Sequence, residues 1–203
     1  MRYYERDGLK VSQIGVGCYG LSGAYGAKDR AEFARVLRRA HELGVTFFDT
    51  ASAYGDAEEF LGSAMKGFRD DVCLATKVGL AGQGATSDLS PEAIRASCDL
   101  SLRRLGTDYI DLYQVHYDDP RAAVAEVVST FESLKAAGKI RAWGVSHLPP
   151  DRVQEYCTVG APFSVMMELS AAARDAVRTR LPICKDHDVA AIAFSVTARG
   201  LLT

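Results

Sequence analysis

The sequence predicts an α/β fold in which parallel strands and helices alternate as a (β/α) barrel, and three observations predict it. Short apolar runs recur at spacings of about 30 residues, the length of one strand-helix unit. Five of them end on a polar or titratable side chain: Asp49, Lys77, His116, Ser146 and Ser195. No linker or composition break interrupts the 203 residues, so one domain over 1–203 is the economical expectation. The repetition fits a doubly wound sheet or a barrel. Recurring polar strand ends favour the barrel, where ligands bind beyond the carboxyl ends of the strands.

In order along the chain, the runs 3–6 and 9–12 flank Asp7-Gly8, a pair suited to a turn that needs positive φ, so a β-hairpin opens the fold. The next strand ends near Gly17. Gly15, Gly17 and Gly20 have the spacing GxGxxG, but a dinucleotide fingerprint needs a helix at its last glycine, and Leu21-Ser22-Gly23-Ala24-Tyr25-Gly26 is loop chemistry. The stretch reads as a glycine-rich strand end. Asp29 and Glu32 form a capping pair ahead of Phe33, Val36, Leu37 and Ala40, whose spacing makes an amphipathic helix that ends near Gly44.

The run 44–48 then stops at Asp49, and 72–76 stops at Lys77. A Gly/Ser/Thr/Asp-rich loop covers 79–90. Ser90-Pro91-Glu92 starts a helix with Ile94, Cys98, Leu102 and Leu105 on one face. The apolar strand 109–115 runs into His116. Pro120 opens a helix through Val124, Val127, Val128, Phe131 and Leu134, closed by Gly138. Strand 142–145 stops at Ser146, and Pro149-Pro150 precedes a short helix around Val153 and Tyr156. Strand 162–167, a helix over 178–187 containing Pro182, and strand 190–194 complete the pattern. Counting the strand near Gly17, seven strands are expected in the barrel.

Composition narrows the function classes. The chain is 48% hydrophobic with a formal net charge of -2, which suits a soluble globular domain and offers no large basic face for nucleic acid or anionic lipid. A small-molecule partner is expected, with no nucleic acid and no membrane. The five cysteines (Cys18, Cys73, Cys98, Cys157, Cys184) are odd in number and lack any CxxC, so most read as small buried hydrophobes, and no metal site is indicated. The N-terminus has no apolar signal segment, and a cytoplasmic location is the default expectation. His41 and His187 fall in helical segments with no evident partner.

Asp49, Tyr54, Lys77 and His116 form an acid-base inventory. A phenol with a pKa near 10 is a poor acid unless a neighbouring cation favours its phenolate. Lowering that value by about three units takes roughly 4 kcal/mol, within reach of a partly buried lysine held by a carboxylate. Each residue alone has a plainer reading: Asp49 as a cap, Lys77 as a solvated charge, Tyr54 as a core aromatic, His116 as a satisfied strand-end histidine. Together they shift the balance towards chemistry.

The longer motifs carry a resemblance. Phe47-Phe48-Asp49-Thr50-Ala51 with Tyr54-Gly55 and Leu61-Gly62, Ala75-Thr76-Lys77, and 102–112 through His116 match a family pattern, as do Gly138-Lys139-Ile140-Arg141, Gly144-Val145-Ser146 and the closing 198–203. In these the chain resembles the aldo-keto reductases over its whole length. The resemblance implies a TIM-type (β/α)8 barrel and NADPH-dependent reduction of an aldehyde or ketone. It makes Tyr54 the general acid, Lys77 the group that depresses its pKa, Asp49 the partner of Lys77, and His116 the group that orients the carbonyl and aids proton transfer.

For the cofactor, the resemblance points to Gly17, Ser146, His147, Met166, Phe194, Ser195 and Gly200. The family usually holds the nicotinamide carboxamide with Ser-Asn after the fifth strand and Gln in the sixth; here Ser146-His147 and Met166 stand there, and a thioether is only a weak acceptor. Phe194 occupies the place of the aromatic that stacks on the ring. NADPH over NADH rests on family habit.

The family continues past the seventh strand, whereas this sequence ends at Thr203. A barrel of about seven of eight strands has unpaired edges, so a homo-oligomer or a completing chain at the open edge is expected, or weak cofactor affinity, or loss of turnover. The rival reading is a non-catalytic or cofactor-sensing protein that acts through a partner or as a scaffold. Loops 20–28, 79–90 and 117–120 are expected to shape the pocket, with Tyr25, Tyr54 and Tyr117 as an aromatic wall. Trp143, the single tryptophan, is expected to report cofactor binding at Ser146 by fluorescence.

Overall fold

In the computed structural model, which describes residues 1–26, 29–80 and 86–203, Asp7 and Gly8 take φ of 51° and 76°. That left-handed pair closes the hairpin of β1 (Tyr3–Arg6) and β2 (Leu9–Ser12), registered Tyr3 to Ser12 and Arg6 to Leu9. Ser12 ties the hairpin to the barrel: its Oγ accepts from the backbone N–H groups of Thr46 (2.9 Å) and Phe47 (3.2 Å). Leu9 and Val11 pack with Phe47, Cys73, Ala75, Leu112, Ala142 and Phe163 as an inner core. The hairpin thereby packs into the end of the barrel where its strands begin.

The remaining strands are β3 (Gly15–Gly17), β4 (Phe47–Asp49), β5 (Cys73–Val78), β6 (Ile110–Val115), β7 (Ile140–Ser146), β8 (Ser164–Glu168) and β9 (Ala190–Phe194). They form one seven-stranded parallel sheet in the order β3-β4-β5-β6-β7-β8-β9. All six residues of β5 and of β6 are buried, as strands covered on both faces must be. Among the described residues β3 and β9 pair on one side only, so the sheet curls into a barrel that lacks its last pairing.

Among the described residues six helices lie outside: α1 (Arg30–Glu42), α2 (Ala57–Ala64), α3 (Pro91–Leu105), α4 (Val124–Ala136), α5 (Pro150–Val159) and α6 (Asp175–Asp186). The cap of α1 is as expected, Asp29 Oδ1 accepting from the Glu32 N–H at 2.9 Å, but Val36 is 45% exposed and Leu37 alone in that helix is fully buried. Ser90 caps α3 by accepting from the Ala93 N–H at 3.3 Å.

Three elements differ from the sequence expectation. The helix expected from Pro120 starts at Val124, because Asp119 folds 119–122 into a turn, accepting from the backbone N–H and the Nε of Arg121. Helix α2 has no counterpart in the sequence reading: its buried face, Ala57, Glu58 and Leu61, contains a carboxylate that masks the apolar period. Glu58 is satisfied there, accepting from Thr76 Oγ1 at 2.7 Å and lying 3.5 Å from Arg104. A 3-10 turn, Tyr19–Ser22, replaces the loop expected after the glycine-rich strand end.

All five cysteines are free and buried. His41 and His187 do have partners: His41 stacks on Phe68 at 4.5 Å and meets Asp71 at 3.3 Å, and His187 Nε2 lies 2.7 Å from Gln154 Nε2. Among the described residues no helix is long and apolar enough to cross a membrane, and no cluster of metal-ligating side chains occurs.

Candidate active site

Parallel pairing brings the strand ends together. Gly17 pairs with Asp49, and Lys77 with Gln114, so the inward residues of β3 to β6 meet at one end of the barrel. Lys77 is 1% exposed, and its ammonium donates to Asp49 Oδ2 at 2.5 Å and to the Thr50 carbonyl at 2.7 Å. Gln114 Nε2 donates to the other carboxylate oxygen of Asp49 at 3.2 Å. Gln114 was missed in the sequence, although it stands on β6 two residues before His116, which directly follows that strand.

Tyr54 sits in the turn between β4 and α2, its N–H donating to the Ala51 carbonyl at 3.0 Å. Lys77 Nζ lies 5.4 Å from the centre of its ring, and the His116 imidazole meets it edge-on at 5.7 Å. The four acid-base candidates are therefore one cluster. His116 follows β6 directly, its N–H donating to the Val78 carbonyl at 2.8 Å, and its side chain is buried.

Electrostatics gives each group a direction. Burial pushes the Asp49 carboxyl above the usual range, while the Lys77 ammonium and the Gln114 amide pull it back. Burial and the Asp49 charge raise the Tyr54 phenol above its ordinary value of 10. The sequence reading expects Lys77 to lower it; in the packed site the desolvation that disfavours the phenolate outweighs any pull of the lysine, whose charge Asp49 partly offsets. Burial, with Lys77 and His147, lowers His116 to about 2, and burial with Lys77 lowers His147 to about 4. Both imidazoles are neutral near pH 7.

A cavity of about 1480 Å³ extends from this cluster to Ser12, Ile14, Ala190 and Ala191, and Tyr19, Tyr25, Tyr54, Tyr117, His147 and Phe194 are among its lining residues. Tyr25, Tyr54 and Tyr117 all face it, and Tyr19, not singled out in the sequence, bridges Tyr25 and Tyr54 with edge-on contacts of 5.6 and 5.1 Å. His147 has φ of 53° and stacks on Tyr117 at 4.4 Å, with Phe194 at 4.5 Å.

Of the expected cofactor residues, Gly17, His147, Met166, Phe194 and Ser195 line the cavity. Ser146 does not: it is fully buried, with its hydroxyl 2.7 Å from Nδ1 of His147. Gly200 lies in the terminal 3-10 turn Ala198–Gly200, whose neighbourhood reaches the cavity through Thr197 and Arg199 instead. Residues 27–28 and 81–85 of the loops expected to shape the pocket lie outside the described residues. Trp143 points the other way, onto Phe131 at 5.7 Å with Nε1 donating to Glu132, because residues three apart on a strand face opposite sides. It is a poor reporter for the cavity.

Comparison with known proteins gives a consistent picture. The profile of the aldo/keto reductase family matches residues 13–203. The chain is 34% identical over 201 residues to "probable aldo-keto reductase 1" of Glycine max, covering 96% of this chain and 58% of that one. It is 36% identical over 205 residues to "aldo-keto reductase YhdN" of Bacillus subtilis (strain 168), covering 97% and 61%. Among solved structures, the holo form of aldo-keto reductase AKR11C1 from Bacillus halodurans superposes with a TM-score of 0.91 at 36% identity, covering 100% of this chain and 69% of that one. The glycerol dehydrogenase AKR11B4 from Gluconobacter oxydans gives 0.86 at 29% identity, covering 96% and 63%. The chain spans about three fifths of the length of the curated relatives it matches.

Proposed function

The chain belongs to the aldo/keto reductase family, and from that premise we propose that it reduces an aldehyde or ketone to the alcohol with a nicotinamide dinucleotide, NADPH by family habit. The observation that carries this reading is the buried Lys77–Asp49 pair (2.5 Å) beneath the Tyr54 ring, with His116 on that ring's edge.

The cavity fits such a cofactor. Beside Asp49 and Lys77 its lining combines aromatic rings with a few polar groups, as cofactor and small-molecule sites do. Phe194 offers an aromatic face, His147 a ring nitrogen for the amide, and Gly17, Met166 and Ser195 complete the walls. The cofactor supplies hydride to the carbonyl carbon.

The chain's own residues handle the proton and the charge. Tyr54 is the proton donor: as negative charge grows on the carbonyl oxygen, the phenol O–H is given up to it. The Lys77 ammonium, held by Asp49 and Thr50, stabilises the phenolate left behind, and Gln114 fixes the carboxylate that holds the lysine. His116 is neutral, so it donates one hydrogen bond that orients the carbonyl and serves as no acid itself.

The test is an NADPH titration followed by nicotinamide emission, then a screen of aldehydes and ketones. Saturable binding with turnover is expected, and Tyr54→Phe should abolish turnover while retaining fold and binding. Folded protein that binds no cofactor up to millimolar concentration would overturn the reading. A Tyr54→Phe variant indistinguishable from wild type would favour the scaffold reading.

A further inference from the structure

His116 lacks the hydrogen bond that usually fixes a working imidazole. Its Nδ1 is buried and has no hydrogen-bond partner among the described residues. A ring without that anchor is oriented by what packs on it, and one face of His116 is covered by Tyr117, nearly parallel at 4.9 Å and 29°. The remaining ring contacts, Tyr54 at 77° and His147 at 54°, are edge-on and tilted at 5.7 Å. Tyr117 is the flat surface that defines the plane of the imidazole.

Tyr117 is 40% exposed, but its ring and its backbone are both held. Its other stacking partner is His147, 4.4 Å away at 27°. Its carbonyl accepts from Ser87 Oγ at 3.0 Å. The next two residues are pinned by ion pairs, Asp118 to Arg152 at 3.0 Å and Asp119 to Arg121 at 2.8 Å. A neighbour in sequence would not ordinarily stack on the preceding side chain; here the loop after β6 is braced so that it does.

We propose that Tyr117 is a positioning residue that fixes the plane of the His116 imidazole by stacking, in place of a hydrogen bond to Nδ1. The inference rests on the reading of His116 as the group that orients the substrate carbonyl. What matters is the aromatic face and not the hydroxyl, so a phenylalanine should serve and a leucine of similar bulk should not. A merely structural Tyr117 would affect stability in both variants without touching the imidazole.

The experiment compares Tyr117→Phe and Tyr117→Leu with wild type by ring-nitrogen NMR of His116, assigned with a His116→Asn variant, and by steady-state kinetics. Wild type and Tyr117→Phe should show one fixed His116 tautomer that does not titrate between about pH 5 and 8. Tyr117→Leu should show averaged ring resonances, with kcat reduced on the order of tenfold to a hundredfold, the scale of a small misplacement, and KM changed less. Unchanged His116 resonances in Tyr117→Leu, with the fold intact by circular dichroism, would overturn the proposal. The NMR readout needs no turnover, so an inactive wild type would sink the reductase reading and leave this test standing.

Discussion

Lys77 and Asp49 show how much the site depends on pairing. Their ion pair is almost fully withdrawn from water, so removing one charge strands the other. Asp49→Asn is expected to cost about 3 kcal/mol in denaturant unfolding, well beyond the effect of breaking a surface pair. The two site histidines make stability pH-dependent. His116 and His147 have folded values of about 2 and about 4 against an ordinary 6.5, so on acidification the unfolded chain binds protons first. Their contribution is complete above about pH 6.5 and is lost as pH falls, at up to about 1.4 kcal/mol per pH unit for each, levelling off near 4 for His147 and near 2 for His116. Urea unfolding at several values between pH 7 and 4 checks this; a slope unchanged in His147→Gln would refute that residue's share. On the alkaline side, burial keeps Tyr54 protonated, so kcat for reduction should show no basic limb below about pH 10. A limb near pH 8 would mean that Lys77 lowers the phenol after all. The four candidates were legible in the sequence as strand-end polar groups. The sign of the Tyr54 shift was not, because desolvation is a property of the packed site.

Helices α2 and α3 meet where Gly62 has no side chain. A Cβ there would stand 2.1 Å from the Leu105 carbonyl oxygen, and backbone cannot swing aside as a side chain can. Gly62→Ala should therefore destabilise by about 3 kcal/mol, the upper range for overpacking, and thermal unfolding measures it. This is the physical content of the Leu61-Gly62 motif. Strand β6 is anchored at its start by Asp111, 1% exposed, which pairs with Arg69 at 2.8 Å and Arg141 at 2.9 Å and accepts from the Leu74 N–H. Both guanidinium groups lie over the Tyr109 ring, at 4.3 and 4.0 Å. Asp111→Ala leaves two cations over that ring without their carboxylate and should cost about 3 kcal/mol without altering cofactor binding, since Asp111, Arg69, Arg141 and Tyr109 do not line the cavity. Most elements were readable from caps and periods, as Asp29, Ser90 and the Asp7-Gly8 turn show. Helix α2 was not, because Glu58 interrupts its apolar face and finds its partner Thr76 on another element.

Across the whole molecule, burial is uneven. Strands β5 and β6 are buried at every position, while β9 alternates between half-buried and exposed residues and, among the described residues, pairs on one side only. Hydrogen exchange should therefore be slowest at the β6 amides and fastest in β3 and β9; uniform protection around the barrel would contradict this distribution. The sequence by itself determined the alternation of strands and helices, the opening hairpin, the family, and which residues end the strands, because caps, turn chemistry and the two-residue alternation of a strand are local. Only the tertiary structure decided that Gln114 holds Asp49, that Ser146 is covered by His147, that Tyr19 bridges the tyrosine wall, and that Tyr117 lies flat on His116. The first and third of these join residues on different strands and loops, the other two depend on how the backbone turns where β6 and β7 end, and ring stacking and desolvation arise only once the strands are side by side.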